Sequence, residues 1–312
     1  MPEPPVLTFD TSEFTKETNV INVIPTGKAL GADIKGVDLS EPLDTATLKS
    51  IIDAWSQHLV LRFRGQRLSD PQLERFSAQL GKLDAAPIYT AGTRVNVDSD
   101  FVTVISNVKV DGKPIGDLGD GESLWHTDMS YNATPPMASA LYALEIPATG
   151  GETGFNNMYL AYETLPDKLK RRIADMQCKH DASRNSVGGR RGNYPDVTNP
   201  KDAPGAIHPM VRTHPVTGRD ALFLGRRLNA YIMGLSVEDS EALLDELRNH
   251  VTKSELTWYQ EWQVGDLILW DNRCVMHRRD AFDGSQRRIM HRTQIVGDKP
   301  VYNPRSAGVR AA

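Results

Sequence analysis

The chain has 312 residues, 39% of them hydrophobic and 24% charged, which is enough apolar material for one large core or two small ones. Lys+Arg 36 against Asp+Glu 40 leaves a formal net charge of −4, so no global positive field draws the protein onto nucleic acid or an anionic membrane, and neither is expected as a partner. No window approaches the roughly 18 uninterrupted apolar residues of a membrane span, and the opening MPEPPVLTFD lacks the basic and apolar regions of a signal peptide, so a cytoplasmic location is expected.

Residues 1–25 are polar and without a period, and are expected to be a flexible arm ahead of a single domain over 26–312. LGADIKGVDLS (30–40) alternates like a strand, and a helix is expected from about Asp44 with Leu48, Ile51, Ile52 and Trp55 on one face. HLVLRF (58–63) reads as a buried strand. Ser69-Asp70-Pro71-Gln72 opens a helix that Gly81 ends. Further helices are expected near Pro166, with Leu169, Ile173 and Met176 inward, and from Ser236, with Leu243, Leu244, Leu247 and Val251 inward. Between them lie the strand-like runs FVTVIS (101–106), ASALYALEI (138–146), ALFLG (221–225) and DLILW (266–270). Strands that do not alternate regularly with helices argue against a doubly wound sheet. They favour a mainly β, α+β protein, a sandwich or jelly roll with flanking helices. Two polar stretches, 85–123 and a loop-rich insertion at about 179–209, are expected to be long covering loops.

The two cysteines, Cys178 and Cys274, lie outside any CxxC spacing, so a metal would have to use His and carboxylate. Of the eight histidines, His180, His208, His214 and His250 sit in or beside the polar loop or on an amphipathic helix, and surface positions are expected for them. His126 differs. In LWHTDMSY it stands two residues before Asp128, which on an extended strand aims an imidazole and a carboxylate at one face. Alone, such a pair is a weak signal, since it occurs by chance and more often forms a simple His–Asp hydrogen bond than a metal site. The segment 264–297 adds His277 and then a strand on which Arg288, Met290 and Arg292 share a face, with His291 on the other. Arginine forks on an inward face suit carboxylates, although ion pairs or solvent would also satisfy them. Two histidines and one carboxylate make a facial donor set that leaves three metal positions open, as Fe(II) needs when it must take a bidentate cosubstrate and O₂. Zinc hydrolysis with the same ligands, or anion binding without catalysis, would use only part of this set.

Taken in order, LGADIKGVDLSEPLD, WHTDMSY, TPPMASALYALEIPATGGETGF, the LPDKLK helix, WDNRCVMHR and QRRIMHRTQIVGDKP resemble the Fe(II)- and 2-oxoglutarate-dependent taurine dioxygenase / 2,4-dichlorophenoxyacetate dioxygenase (TauD/TfdA) family. The resemblance implies a double-stranded β-helix (jelly-roll) core in which His126, Asp128 and His277 bind iron, Thr153 and Arg288 bind 2-oxoglutarate, and Arg292 lies near the substrate's anionic group. It also implies hydroxylation of an unactivated C–H by O₂, with release of succinate and CO₂. Halogenating relatives replace the carboxylate that Asp128 retains. A homo-oligomer, dimer or tetramer, is expected by analogy. The chain departs from the taurine-specific pattern at two places: Ala86 stands where a sulfonate-binding His precedes the Pro-x-Tyr that here ends in Tyr89, and Glu122 stands where a substrate-contacting Asn is found. Taurine itself is therefore not the expected substrate. Another small anion or amino-acid derivative is, lined by Arg292, Tyr89, Glu122, the Met129 backbone and Asn107.

Overall fold

Two sheets organise the residues described by a computed structural model, 21–86, 99–192 and 194–304. Their strands are β1 (Asn22–Pro25), β2 (Ala32–Lys35), β3 (Val60–Phe63), β4 (Thr103–Ser106), β5 (Asp117–Leu118), β6 (Ser123–His126), β7 (Ala138–Glu145), β8 (Thr153–Asn157), β9 (Thr257–Gln260), β10 (Leu267–Asp271), β11 (Val275–Arg279) and β12 (Ile289–Ile295). The larger sheet runs β1-β2-β3-β10-β7-β12-β4-β5 and the smaller β9-β8-β11-β6. The result is an α+β protein dominated by sheet. Among the described residues no helix is long and apolar enough to cross a membrane.

Periodicity explains which faces are buried. β10 and β7 are continuous apolar runs because both of their faces are covered. α1 (Thr45–His58) and α2 (Asp70–Leu80) lay Ile51, Ala54, Trp55, Leu73 and Phe76 against Leu61, Phe63, Ala140, Leu267, Leu269 and Ile295 of the larger sheet. Ile52, expected on that face, is exposed, and Thr47 and Ala54 are buried in its place. Asp44 caps α1 by accepting from the Thr47 N–H, and the Ser69/Gln72 capping box starts α2. The opposite faces look into the space between the sheets. There Phe155 of β8 lies 5.7 Å from Trp270 of β10 and 6.2 Å from His277 of β11, ring centre to ring centre.

Three further helices follow: the short α3 (Met158–Glu163), not anticipated from the sequence, the short α4 (Asp167–Ile173), and α5 (Val237–Val251). α5 buries Leu243, Leu244, Leu247 and Val251 as the spacing predicts. Two expectations need correction. Asn22–Pro25 is not part of a loose arm, because it pairs antiparallel with β2. His180, His208 and His214 are each at most 2% exposed and His250 is half-buried. Each of these except His180 has found a partner: His208 two carbonyls, His214 the Asp271 carboxylate and His250 the Ala161 carbonyl.

Phe155→Ala would open a cavity where both sheets meet. It is expected to cost about 3–5 kcal/mol, read as a lowered midpoint in urea denaturation followed by far-UV circular dichroism.

Candidate active site

β11 pairs with β6 so that His277 stands directly opposite His126, with the ring centres 4.2 Å apart. A register shift between His277 and Arg279 marks a bulge, the usual device for re-aiming a side chain at a sheet edge. β6 stops at His126, so Asp128 is not on the strand as its spacing implied. It lies in a turn in which Met129 takes φ 46° and Asn132 N–H donates to Met129 C=O at 2.9 Å. Asn272, in the turn between β10 and β11, holds that turn. Its side-chain oxygen accepts from Asp128 N–H at 2.8 Å, and its amide donates to Asp128 C=O at 2.9 Å and Pro136 C=O at 2.8 Å. Asn272 was not singled out from the sequence, because its partners lie far from it along the chain.

The two oxygens of Asp128 face different ways. Oδ1 lies 3.5 Å from His126 Nε2 and 3.7 Å from His277 Nε2. Oδ2 accepts from Ser139 Oγ at 2.9 Å, Arg292 Nη1 at 3.1 Å and Gln294 Nε2 at 3.2 Å. Burial would raise this carboxyl, but the Arg292 guanidinium beside it overcomes burial and holds the group well below the ordinary carboxylate range. His126 Nδ1 contacts Leu124 C=O at 2.6 Å, so Nδ1 donates to that carbonyl and Nε2 is the nitrogen turned toward Asp128. Burial, reinforced by His126, pushes His277 down to about 3, so its imidazole is neutral. The donor atoms of all three residues lie within 4.8 Å of one another. Donors about 2.1 Å from one ion are at most about 4.2 Å apart, and the measured Asp–His spacings fall inside that limit. Two imidazoles and an ionised carboxylate fit a divalent metal.

A second cluster, His214, Asp271 and Cys274, is equally compact but does not fit a metal. His214 Nδ1 accepts from the N–H groups of Val216 and Thr217, so its proton is on Nε2 and is given to Asp271 Oδ2 at 3.0 Å. Arg273 already spans both Asp271 oxygens, at 2.8 and 2.6 Å. No imidazole lone pair remains, and the group is an ion-pair network that locks the β10–β11 turn.

A cavity of about 570 Å³ opens from the three donors and is lined also by Thr153, Arg279, Arg288 and Arg292. Arg288 is 2% exposed, and no carboxylate pairs with its guanidinium among the described residues. Burial, with the like charge of Arg279, pushes it down to about 9. An anion arriving beside Arg288 would relieve both effects. Thr153 Oγ accepts from Trp262 Nε1 at 2.9 Å, which leaves its O–H free to donate into the cavity.

The expected substrate contacts fare unevenly. Arg292 and Met129 line the cavity. Glu122 does not, since it is exposed and paired with Arg278 at 2.8 Å. Asn107 sits behind Arg288: it accepts from Arg288 N–H at 3.0 Å and donates to Gln286 C=O at 2.8 Å, so it positions the arginine's backbone. Tyr89 lies outside the described residues. Sequence reasoning missed Tyr131, Asn185, Arg191, Tyr194 and Arg226, which also line the cavity. Most belong to the 179–209 stretch, whose lack of periodicity carried no sign of which side chains point inward.

With this geometry in view, the family described as "Taurine catabolism dioxygenase TauD, TfdA family" matches residues 22–294. The alpha-ketoglutarate-dependent 2,4-dichlorophenoxyacetate dioxygenase of Cupriavidus pinatubonensis is 33% identical over 89% of this chain and 98% of its own length. The alpha-ketoglutarate-dependent sulfate ester dioxygenase of Pseudomonas putida is 34% identical over 90% and 91%. Among solved structures, a taurine dioxygenase from Burkholderia xenovorans superposes with a TM-score of 0.74 at 32% identity, covering 91% of this chain and 92% of that one. AAD-2 in complex with Mn(II) and N-oxalylglycine gives 0.73 at 30% identity, covering 91% and 100%.

Asn272→Ala would free the turn that carries Asp128. A ten- to hundredfold loss of metal affinity is expected, measured by Co(II) titration in the visible, with the fold retained by circular dichroism.

Proposed function

The chain belongs to the TauD/TfdA family of 2-oxoglutarate-dependent dioxygenases, and we propose that within it this protein hydroxylates an unactivated C–H bond of a small anionic molecule, releasing succinate and CO₂. One observation carries the reading: a buried arginine without a carboxylate partner, Arg288, shares its cavity with a His–Asp–His donor set. A zinc hydrolase would leave Arg288 and Thr153 without a task, and a simple anion-binding protein would have no use for the three donors.

In this reading His126, Asp128 and His277 hold Fe(II) on one face, with open positions left for 2-oxoglutarate and O₂. Iron and 2-oxoglutarate together supply the oxidising power for C–H cleavage. Arg288 and the Thr153 hydroxyl bind the distal carboxylate of 2-oxoglutarate, Arg288 through a planar fork. Asn107 fixes where that fork starts. Arg292, Ser139 and Gln294 keep Asp128 ionised and turn Oδ1 toward the imidazoles. The aromatic wall of Trp270 and Phe155 backs His277 and excludes water from that side. The jelly-roll core implied by the resemblance accommodates the two facing sheets, and one domain accommodates ligands that come from distant parts of the chain.

Protein supplied anaerobically with Fe(II) and 2-oxoglutarate is expected to develop the weak visible absorption of an iron chelate and, on admission of O₂ with organic anions, to release succinate. His126→Ala should abolish both signals. Arg288→Ala should raise the 2-oxoglutarate dissociation constant roughly ten- to hundredfold, as loss of a charge-assisted pair predicts. Iron-loaded wild-type protein that neither absorbs nor forms succinate with any anion would overturn the reading.

A further inference from the structure

We propose that Arg191 and Arg226, two arginines that both approach the ring of Tyr131, form the subsite that receives the oxyanion head of the primary substrate. This rests on the dioxygenase reading above and gives its anionic substrate a place to bind.

Five arginines line the cavity, at 191, 226, 279, 288 and 292, against Asp117 and Asp128. A divalent metal and the dianion 2-oxoglutarate cancel each other, so binding them leaves the arginine excess in place. Three of the five already have tasks. Arg288 is assigned to 2-oxoglutarate, Arg292 donates to Asp128 Oδ2, and Arg279 donates to the carbonyls of Leu118 and Gly121. Arg191 and Arg226 remain. Their guanidinium carbons lie 4.0 and 5.4 Å from the centre of the Tyr131 ring. The charge of Arg191 acts against that of Arg226, and the cation–π attraction of the ring only partly offsets it.

Neither is ion-paired with an acidic side chain among the described residues. Arg191 donates to the Ala182 carbonyl at 3.3 Å and Arg226 to the Arg184 carbonyl. Arg226 is 5% exposed, and its Nε is buried with no hydrogen-bond partner. Asp181 and Asp128 act on Arg226 only at longer range, and a guanidinium so buried, with an unused N–H and a second cation acting on it, has no directly paired anion among the described residues. A carboxylate, sulfate or sulfonate, each with several oxygens, would accept from both forks and quench their repulsion.

The subsite is built into the fold. Around it the covering segment is tied to the stretch that carries the metal donors. Leu124 N–H donates to Ser186 C=O at 2.9 Å and Ala206 N–H to Tyr131 C=O at 2.9 Å, while His208 Nε2 reaches the carbonyls of Ser130 and Asn132, both at 2.9 Å. Those bonds fix Tyr131 and the loop relative to His126 and Asp128. A head group held by Arg191 and Arg226 is therefore held in register with the oxidising centre, which is the positioning that C–H selectivity requires.

The test is calorimetric binding of hexanoate, hexyl sulfate and hexan-1-ol to wild-type, Arg191→Ala and Arg226→Lys proteins loaded anaerobically with Fe(II) and 2-oxoglutarate. Inorganic sulfate is titrated into the metal-free proteins in parallel. Wild type is expected to bind at least one of the organic anions ten times or more tighter than the alcohol. Arg191→Ala should erase that preference with the alcohol and 2-oxoglutarate affinities unchanged, and Arg226→Lys should weaken it by keeping the charge without the fork. Hexanoate against hexyl sulfate distinguishes a carboxylate from a sulfate head. The proposal is overturned if wild type binds the alcohol as tightly as both anions, or if Arg191→Ala leaves anion affinity intact. Failure of Fe(II) and 2-oxoglutarate to bind wild type would instead overturn the dioxygenase reading, and the sulfate titration would still decide the subsite.

Discussion

Everything at the site depends on one carboxylate whose two oxygens are assigned different work. Oδ2 of Asp128 gathers Ser139, Arg292 and Gln294, and Oδ1 is left for the two imidazole nitrogens. Because the group is buried, its ionised form survives only while those donors are present. The same contacts that orient it thus keep it charged. The imidazoles are positioned by a different force, the backbone ladder between β6 and β11, which sets His126 against His277 before any metal contributes.

Two sheets are needed because one sheet offers only one wall. β10 belongs to the larger sheet and β11 to the smaller, and the Asn272–Cys274 turn joins them. That turn carries Asn272 to the Asp128 backbone and, through Asp271, Arg273 and His214, is held by a buried ion-pair network. Buried networks of this kind cost desolvation energy and add little net stability. Here the network fixes a turn on which the placement of a metal donor depends.

The cavity is also unusual in its charge. The chain carries a formal net charge of −4, yet the cavity is lined by five arginines. Where such charges are buried they are screened less than on the surface. The field inside the cavity is therefore set by these local arginines, and the balance of the whole chain does not report it.

By itself the sequence picked out the candidate set for the chemistry. An H-x-D pair, a later His and alternating arginines are types and spacings that read without coordinates, and the order of several motifs identified the family. It also determined α1, α2 and α5, since capping residues and apolar periods act over a few neighbours. The tertiary structure alone decided where those residues point. Asp128 left the strand for a turn stabilised by Asn272, whose partners are far away in sequence. Glu122 turned outward to Arg278, and Asn107 went behind Arg288. Of the histidines expected at the surface, His180, His208 and His214 were buried and His250 half-buried, three of the four with partners in distant segments. Arg191, Tyr131 and Arg226 met in one cavity although the loop has no period to announce it. The physical reason is common to all of these: local sequence encodes propensity and pattern, while burial and hydrogen-bond pairing across long separations belong to the folded chain as a whole.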